Sequence, residues 1–252
     1  MGTSSPKNLR IQVAEALAMQ ILDGTYKPGQ AMPTEPELMQ ITGVSRTTLR
    51  SAIQNLEAKG LINVGPSLGT RVQPMTNWNL LDAEIVSWRL RLGVTVDLVR
   101  QVYEMRECFE PRASLFAAER GTEEDHARIS IAFDRLSGSR NLNQEQAAQA
   151  DVDFHLSVLL SCGNDYIASF AMMMTAMLRM SFEIARQRKD LSQDDIDMHA
   201  AIFRAVVGRK GEQAEAATRQ LLLSSKKVQM DAAEELEKAT RVTRAMSLAR
   251  TR

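Results

Sequence analysis

Thr34–Val72 reads TEPELMQITGVSRTTLRSAIQNLEAKGLINVGPSLGTRV, and its spacing decides the fold. Thr34 followed three residues later by Glu37 is a capping box, and Pro36 fits the first helical turn, where its missing amide proton costs no bond. The short helix breaks at Thr42-Gly43-Val44. Ser45 then caps a second helix that runs to Lys59 and stops at Gly60. Leu49, Ile53 and Leu56 share one face, which turns Arg46, Thr47 and Arg50 outward. Leu61–Val64, the turn GPSLG and Thr70–Gln73 predict a β-hairpin. Two helices about a tight turn followed by a hairpin make a winged helix-turn-helix. A helix end carrying arginine and hydroxyl side chains is the shape and chemistry a DNA major groove accepts.

Working outward, Leu9, Ile11, Val13, Leu17, Ile21 and Leu22 give an irregular helical stripe from Asn8 to Asp23, ended by Gly24. The loop YKPGQAMP joins it to the helix pair. Downstream, PMTNWNL (74–80) reads as a linker. Beyond it the pattern is helical: segments near 80–92, 96–120, 123–137, 143–162, 165–188, 193–208 and 211–240, parted by breaks such as Gly121-Thr122 and Gly163-Asn164. The expected fold class is therefore mainly α. A winged helix-turn-helix over 1–75 precedes an all-helical antiparallel bundle over 76–240, and the basic tail 241–252 is expected to fray. No fixed-period repeat is visible.

The 252 residues suffice for two domains. Basic and acidic residues balance at 31 each, and residues 1–75 hold seven basic against five acidic. So weak a positive field on one module favours two copies on one duplex, hence a homodimer, because phosphate neutralisation supplies much of DNA affinity. Cys108 and Cys162 form no CxxC pattern and read as buried, reduced thiols. No apolar run approaches the ~18 residues of a membrane span, and the N-terminus lacks a secretory layout. The expected location is the cytoplasm, with no membrane partner.

The pattern from Pro33 to Val72 resembles the GntR family of bacterial transcription regulators. EMRECFEPRASLFAAER (104–120), DVDFHLSVLLSCGN (151–164) and DMHAAIFRAVVGRKGEQA (197–214) resemble the helical FCD ligand-sensing domain of its FadR branch. The linker NWNLLDAEIVSW is similar to that of regulators responding to the sugar acid galactonate. The resemblance implies a DNA-binding regulator rather than an enzyme, a repressor whose operator contacts are Thr34, Ser45, Arg46, Thr47, Thr48 and Arg50, with Gly69 and Thr70 at the wing. Pro36 stands where many relatives place a DNA-contacting arginine.

Asp151 and His155 lie four apart on one predicted helix face. His199 sits on a later helix that a Ser192–Asp195 capping box would open. Carboxylate plus two imidazoles suits a divalent cation such as zinc or nickel, although an i,i+4 pair is more often an ion pair or a buried, satisfied histidine. The resemblance implies a metal at Asp151, His155 and His199. It also places the family's third histidine at Leu221, beside Gln220, so the ligand set is incomplete and the site reads first as an effector pocket. Arg106 could hold the carboxylate of a sugar acid or other small acid through two parallel hydrogen bonds, or be tied to Glu104, Glu107 or Glu110. Asn164 falls near the pocket in the resemblance, and by its position caps a helix.

Other residues suggest alternatives. Glu123 and His126 form one Glu-x-x-His motif, of which a di-iron bundle enzyme needs two. A purely architectural DNA-binding dimer would leave the Asp151–His155–His199 set unexplained. Met172, Met173, Met174, Met177 and Met180 recur at helical spacing and read as core packing. Trp78 and Trp88 are expected to pack the linker region onto one of the domains.

Overall fold

The computed structural model describes residues 6–65, 69–139, 142–185 and 193–250. It divides into two compact units, one up to Gly93 and one from Val94.

The first unit holds α1 (Pro6–Leu22), α2 (Glu35–Thr42), α3 (Arg46–Ala58), β1 (Ile62–Gly65), β2 (Gly69–Val72), a 3-10 turn at Met75–Asn77, and α4 (Ala83–Arg91). Gly43 closes α2 in the left-handed conformation at φ 67°, and the Ser45 hydroxyl accepts the Thr48 amide to open α3. That pair of caps sets the turn between the two helices. The strands pair antiparallel with Ile62 opposite Val72 and Gly65 opposite Gly69. The loop before α2 adds a third edge: Met32 donates to the Thr70 carbonyl, and Val72 to that of Gln30. Residues 66–68 of the expected wing turn lie outside the described residues.

Leu17 and Ile21 of α1, Leu38 of α2 and Leu49 and Leu56 of α3 form the core with Leu61, Trp78, Ile85 and Trp88. This unit therefore runs on past the linker expected at 74–80. Burial of both tryptophans and of Ile85 binds the 78–91 segment to the helix-turn-helix. Lys59 anchors it further through Asp82 at 2.7 Å and Glu84 at 2.8 Å, with its ammonium 5.8 Å from the Trp88 ring centroid. Gly60, at φ 73°, admits the close approach of the Asn77 carbonyl, which lies where a β-carbon would stand.

The second unit consists of α5 (Val96–Arg120), α6 (Glu123–Ser137), α7 (Gln144–Leu160), α8 (Asp165–Ala168), α9 (Ala171–Ala185), α10 (Gln193–Val207) and α11 (Gly211–Arg250). Thr95, Thr122, Asn143 and Asn164 cap α5 to α8. Around α5, which packs along α11, lie α6, α7 and α10, with Phe154, Ile129, Leu136, Val206 and Leu221 buried between them.

Two expectations need correcting here. The single helix read over 165–188 is two, because Ser169 turns its hydroxyl to the Tyr166 carbonyl and Phe170 packs on Phe109, with ring centroids 4.7 Å apart. The helix α11 extends through Arg250, into the basic tail. Cys108 is exposed, while Cys162 is buried as expected. Two positions after buried Arg106, Cys108 points away from the buried stripe of α5.

Met173 and Met174 are core residues as expected, whereas Met172 is exposed and the Met180 side chain lies outside the described set. Ser192, read as a helix cap, also lies outside the described residues. Glu123 and His126 have structural roles: Glu123 pairs with Arg209, and the buried His126 ring lies 3.2 Å from the Ala117 carbonyl. No helix among the described residues is long and apolar enough to cross a membrane.

Candidate nucleic-acid interface and effector site

Helix α3 presents Arg46, Thr47 and Arg50 on its exposed face while Leu49, Ala52, Ile53 and Leu56 are buried. The hydroxyls of Ser45, Thr47 and Thr48 form a cluster at its N-terminus, with Ser45 Oγ 3.0 Å from Thr47 Oγ1 and 2.9 Å from Thr48 Oγ1. Thr34 donates its amide and hydroxyl to Glu37, which fixes the start of α2 beside them. Gly69 and Thr70 open β2, directly after the wing tip. The structure thus brings the helix-borne candidates to the N-terminal ends of two adjacent helices and puts the other two on the wing, an arrangement that suits phosphate and base-edge contact together.

In the helical unit, Asp151, His155 and His199 converge. His199 Nε2 lies 3.2 Å from Asp151 Oδ1 and 3.2 Å from His155 Nε2, and His155 Nε2 is 3.9 Å from the same Asp151 oxygen. The other ring nitrogens face acceptors. His155 Nδ1 is 2.9 Å from Glu110 Oε2, and His199 Nδ1 is 2.6 Å from the Asp195 carbonyl. With protons on both Nδ1 atoms for those acceptors, a cation among the three groups would meet both Nε2 lone pairs, the arrangement outer carboxylates and carbonyls impose on metal-binding histidines. A circle through the three donor atoms has a radius of about 2.0 Å, the length of a zinc–nitrogen or zinc–oxygen bond. The donor set fits a divalent cation.

Charge is balanced around this cluster in a chain. Arg106 Nε donates to Glu110 Oε1 at 2.6 Å and its Nη2 to Oε2 at 3.3 Å, with both side chains almost wholly buried. Burial pushes the Glu110 carboxyl up, but the Arg106 guanidinium and His155 outweigh it and hold the group down at about 2. Burial likewise opposes ionisation of Asp151, and the His199 and His155 imidazoles overcome it to lower its pKa. His199 is raised despite burial because Asp151 accepts from it. The Phe154 ring meets both imidazoles in T-shaped contacts, with centroids 5.8 Å and 5.5 Å away.

Of the sequence-predicted effector residues, Arg106, Asp151, His155 and His199 are thus assembled. Arg106 is engaged by Glu110, which the sequence offered only as one of three alternative partners. Asn164 caps α8, its side-chain oxygen accepting from the Tyr166 and Ile167 amides. Leu221, the position of the family's third histidine, is packed among apolar residues.

Two further groups went unread in the sequence. Ser181 Oγ lies 3.4 Å from Arg106 Nη1. Tyr103, beneath the Arg106 guanidinium at 5.0 Å, has a buried hydroxyl whose polar neighbour is Ser181, without a well-directed hydrogen bond. Burial pushes that phenol up to about 12. Its i−3 spacing from Arg106 was the available signal. A small cavity lined by Glu110, Ser114, His155 and Thr218 has room for about one water molecule. It can hydrate Glu110, and a sugar acid would enter there only if the surrounding packing opened.

A winged helix-turn-helix with an arginine- and threonine-bearing helix, joined to a helical bundle with a buried carboxylate–imidazole cluster, defines a DNA-binding transcription regulator. The comparisons with known proteins agree. Residues 9–72 match the bacterial regulatory proteins of the gntR family, and residues 101–224 match the FCD domain. The chain belongs to the GntR family, as a regulator of the FadR type, and is not an enzyme. It is 33% identical over 228 residues to the uncharacterized HTH-type transcriptional regulator YieP of Escherichia coli, covering 89% of this chain and 96% of the relative. Against the galactonate operon transcriptional repressor of the same organism it is 30% identical, over 85% and 93% of the two chains. Among solved structures, that of Lar, described as controlling expression of the Listeria monocytogenes agr system, matches with a TM-score of 0.62. That likeness has 19% identity, covers 91% and 97% of the two chains, and bears on the fold alone.

Proposed function

We propose that this regulator is a repressor of genes for sugar-acid or other small-carboxylate metabolism, and that its effector acid binds in the helical unit at Arg106, Asp151, His155 and His199. The observation that carries this reading is the buried cluster itself. Three convergent donor atoms, set beside a buried arginine, tyrosine and serine, make a polar set that is costly to bury unless something polar completes it. Asp151, His155 and His199 would hold a divalent cation, zinc or nickel, which when bound supplies a positive centre with a position open to water or a ligand oxygen. Arg106 would orient a carboxylate, and Tyr103 with Ser181 would take up hydroxyls. The kinship with a galactonate operon repressor supports a sugar acid as the class.

Two copies on a palindromic operator are part of this proposal. Half-site spacing must match the separation of the paired readers, so a small effector-driven rotation weakens binding. The test is a thermal-shift screen of sugar acids and simple carboxylates with and without Zn²⁺, followed by operator gel shifts with the hits. An acid that raises the midpoint and alters operator binding in wild-type protein, and does neither in Arg106→Ala, supports the reading. Hits that act equally on Arg106→Ala and His199→Ala place the effector elsewhere.

A further inference from the structure

Arg46 and Arg50 converge on one carboxylate of the neighbouring helix. Arg46 Nε stands 3.1 Å from Glu35 Oε1, and Arg50 Nε stands 3.5 Å from Glu35 Oε2. Arginines four apart on a helix repel each other. A carboxylate placed between them offsets that repulsion and draws both side chains to the same side of α3.

An acidic residue suits the first turn of α2, but the helix dipole does not require Glu35 to face the arginines of α3. Its Oε1 is shielded from solvent and faces the Arg46 guanidinium as an ion pair, without a well-directed hydrogen bond. It is not the cap of α2, because Thr34 and Glu37 bond each other there. Beside a polyanion it also weakens general attraction to phosphate. What it supplies instead is orientation. Both guanidinium groups are approached closest at Nε, and no terminal nitrogen of either makes a hydrogen bond among the described residues.

We infer that Glu35 is the positioning residue of the DNA reader. It holds Arg46 and Arg50 by their Nε edges so that each presents its terminal nitrogens, a ready pair of donors, to O6 and N7 of a guanine in the major groove. An arginine released from Glu35 would settle on the nearest phosphate, gaining affinity without reading sequence. Glu35 therefore lowers general attraction to DNA and raises discrimination. The inference rests on α3 being the helix that enters the groove.

The test uses full-length protein and an operator recovered from a random duplex pool with the wild type. Binding to that operator and to an unrelated duplex is measured for Glu35→Gln, Glu35→Asp, the Arg46→Ala/Arg50→Ala pair, and that pair combined with Glu35→Gln. For Glu35→Gln the ratio of operator to unrelated affinity should fall about tenfold or more, the scale of a lost bidentate contact, while unrelated binding stays level or tightens. Glu35→Asp, which keeps the charge on a shorter stem, should fall between. Once both arginines are gone, Glu35→Gln should remove no further specificity, because its effect runs through them.

An unchanged ratio in Glu35→Gln overturns the inference. So does a parallel loss on both duplexes accompanied by a lower melting temperature, which would make Glu35 a structural residue only. Should the arginine pair bind the operator as the wild type does, α3 is not the reader, and the inference falls with that reading whatever Glu35→Gln shows.

Discussion

Nε2 of His155 and Nε2 of His199 face one another across 3.2 Å, with Asp151 Oδ1 completing the triangle. Lone pairs at that distance beside a carboxylate repel unless a positive charge sits among them. A proton on one ring meets the need partly, as the raised His199 indicates, and a divalent cation meets it fully.

Zn²⁺ or Ni²⁺ should therefore raise the thermal midpoint of the wild type. At a free concentration of about 100 times Kd the gain is about 2.7 kcal/mol, reversed by a chelator. Asp151→Asn and His199→Ala should each abolish most of this increment, read by differential scanning calorimetry with and without metal. An equal increment in all three proteins would place the metal at some other site.

Glu110 joins Arg106 to His155, and its removal should act at both ends. In Glu110→Gln the carboxamide can still accept from His155, but Arg106 is left buried without its counter-charge. Breaking a buried pair in this way costs about 3–5 kcal/mol, measurable as a lower urea midpoint. Loss of the negative charge behind His155 should also weaken metal binding about 10–100-fold in a chelator competition. Stability equal to wild type would mean that Arg106 finds another anion.

Much of this was legible in the sequence because its signals are local. Thr34 with Glu37, Gly43, Ser45 and Thr122 each announced a helix boundary within four residues, and the structure puts the boundaries there. The i,i+4 spacing of Asp151 and His155 likewise fixed their common face. What could not be read was which distant groups would complete them. Glu110 and His155 are on different helices, and only the packing of α5 on α7 brings them together, whereas the choice of Glu110 over Glu104 and Glu107 as the partner of Arg106 follows from its i,i+4 spacing, a local signal that the sequence did carry. Glu35 carried no signal of its own, since an acidic residue in a first turn is already accounted for by the helix dipole. The end of the first unit was obscured for a related reason: PMTNWNL has a linker's composition, yet Trp78 is buried in the core and the Asn79 amide beside it donates to the Lys59 carbonyl, a pairing across twenty residues that no local pattern announces.

Two glycines of the DNA-binding unit should separate conformational strain from steric collision. Both have positive φ, but a β-carbon at Gly43 meets nothing within 4 Å, whereas at Gly60 it would lie 2.0 Å from the Asn77 carbonyl oxygen. Gly43→Ala should cost about 1–2 kcal/mol, the ordinary penalty of the left-handed region. Gly60→Ala should cost clearly more, because backbone has to move. Urea unfolding of the two variants decides the point, and equal losses would show that the 59–78 contact yields freely.

Lys59 gives a pH-dependent test of how the 78–91 segment is held. Burial lowers its pKa, but Asp82 and Glu84 outweigh that and raise it above the ordinary 10.5. A folded-state pKa above the unfolded one means that the lysine's contribution is complete below the unfolded value and is lost as pH climbs through the folded value. Lys59→Met keeps an apolar stem against Trp88 and leaves Asp82 to cap α4 through the Glu84 and Ile85 amides. The variant should lose between the ~1 kcal/mol of an exposed ion pair and the ~3–5 kcal/mol of a buried one. Its deficit in thermal midpoint against the wild type should hold constant from about pH 7 to 9 and narrow above about 10.5. A deficit that persists undiminished at higher pH would mean that the loss in Lys59→Met comes from methionine fitting the site less well than lysine, with the two carboxylates contributing nothing.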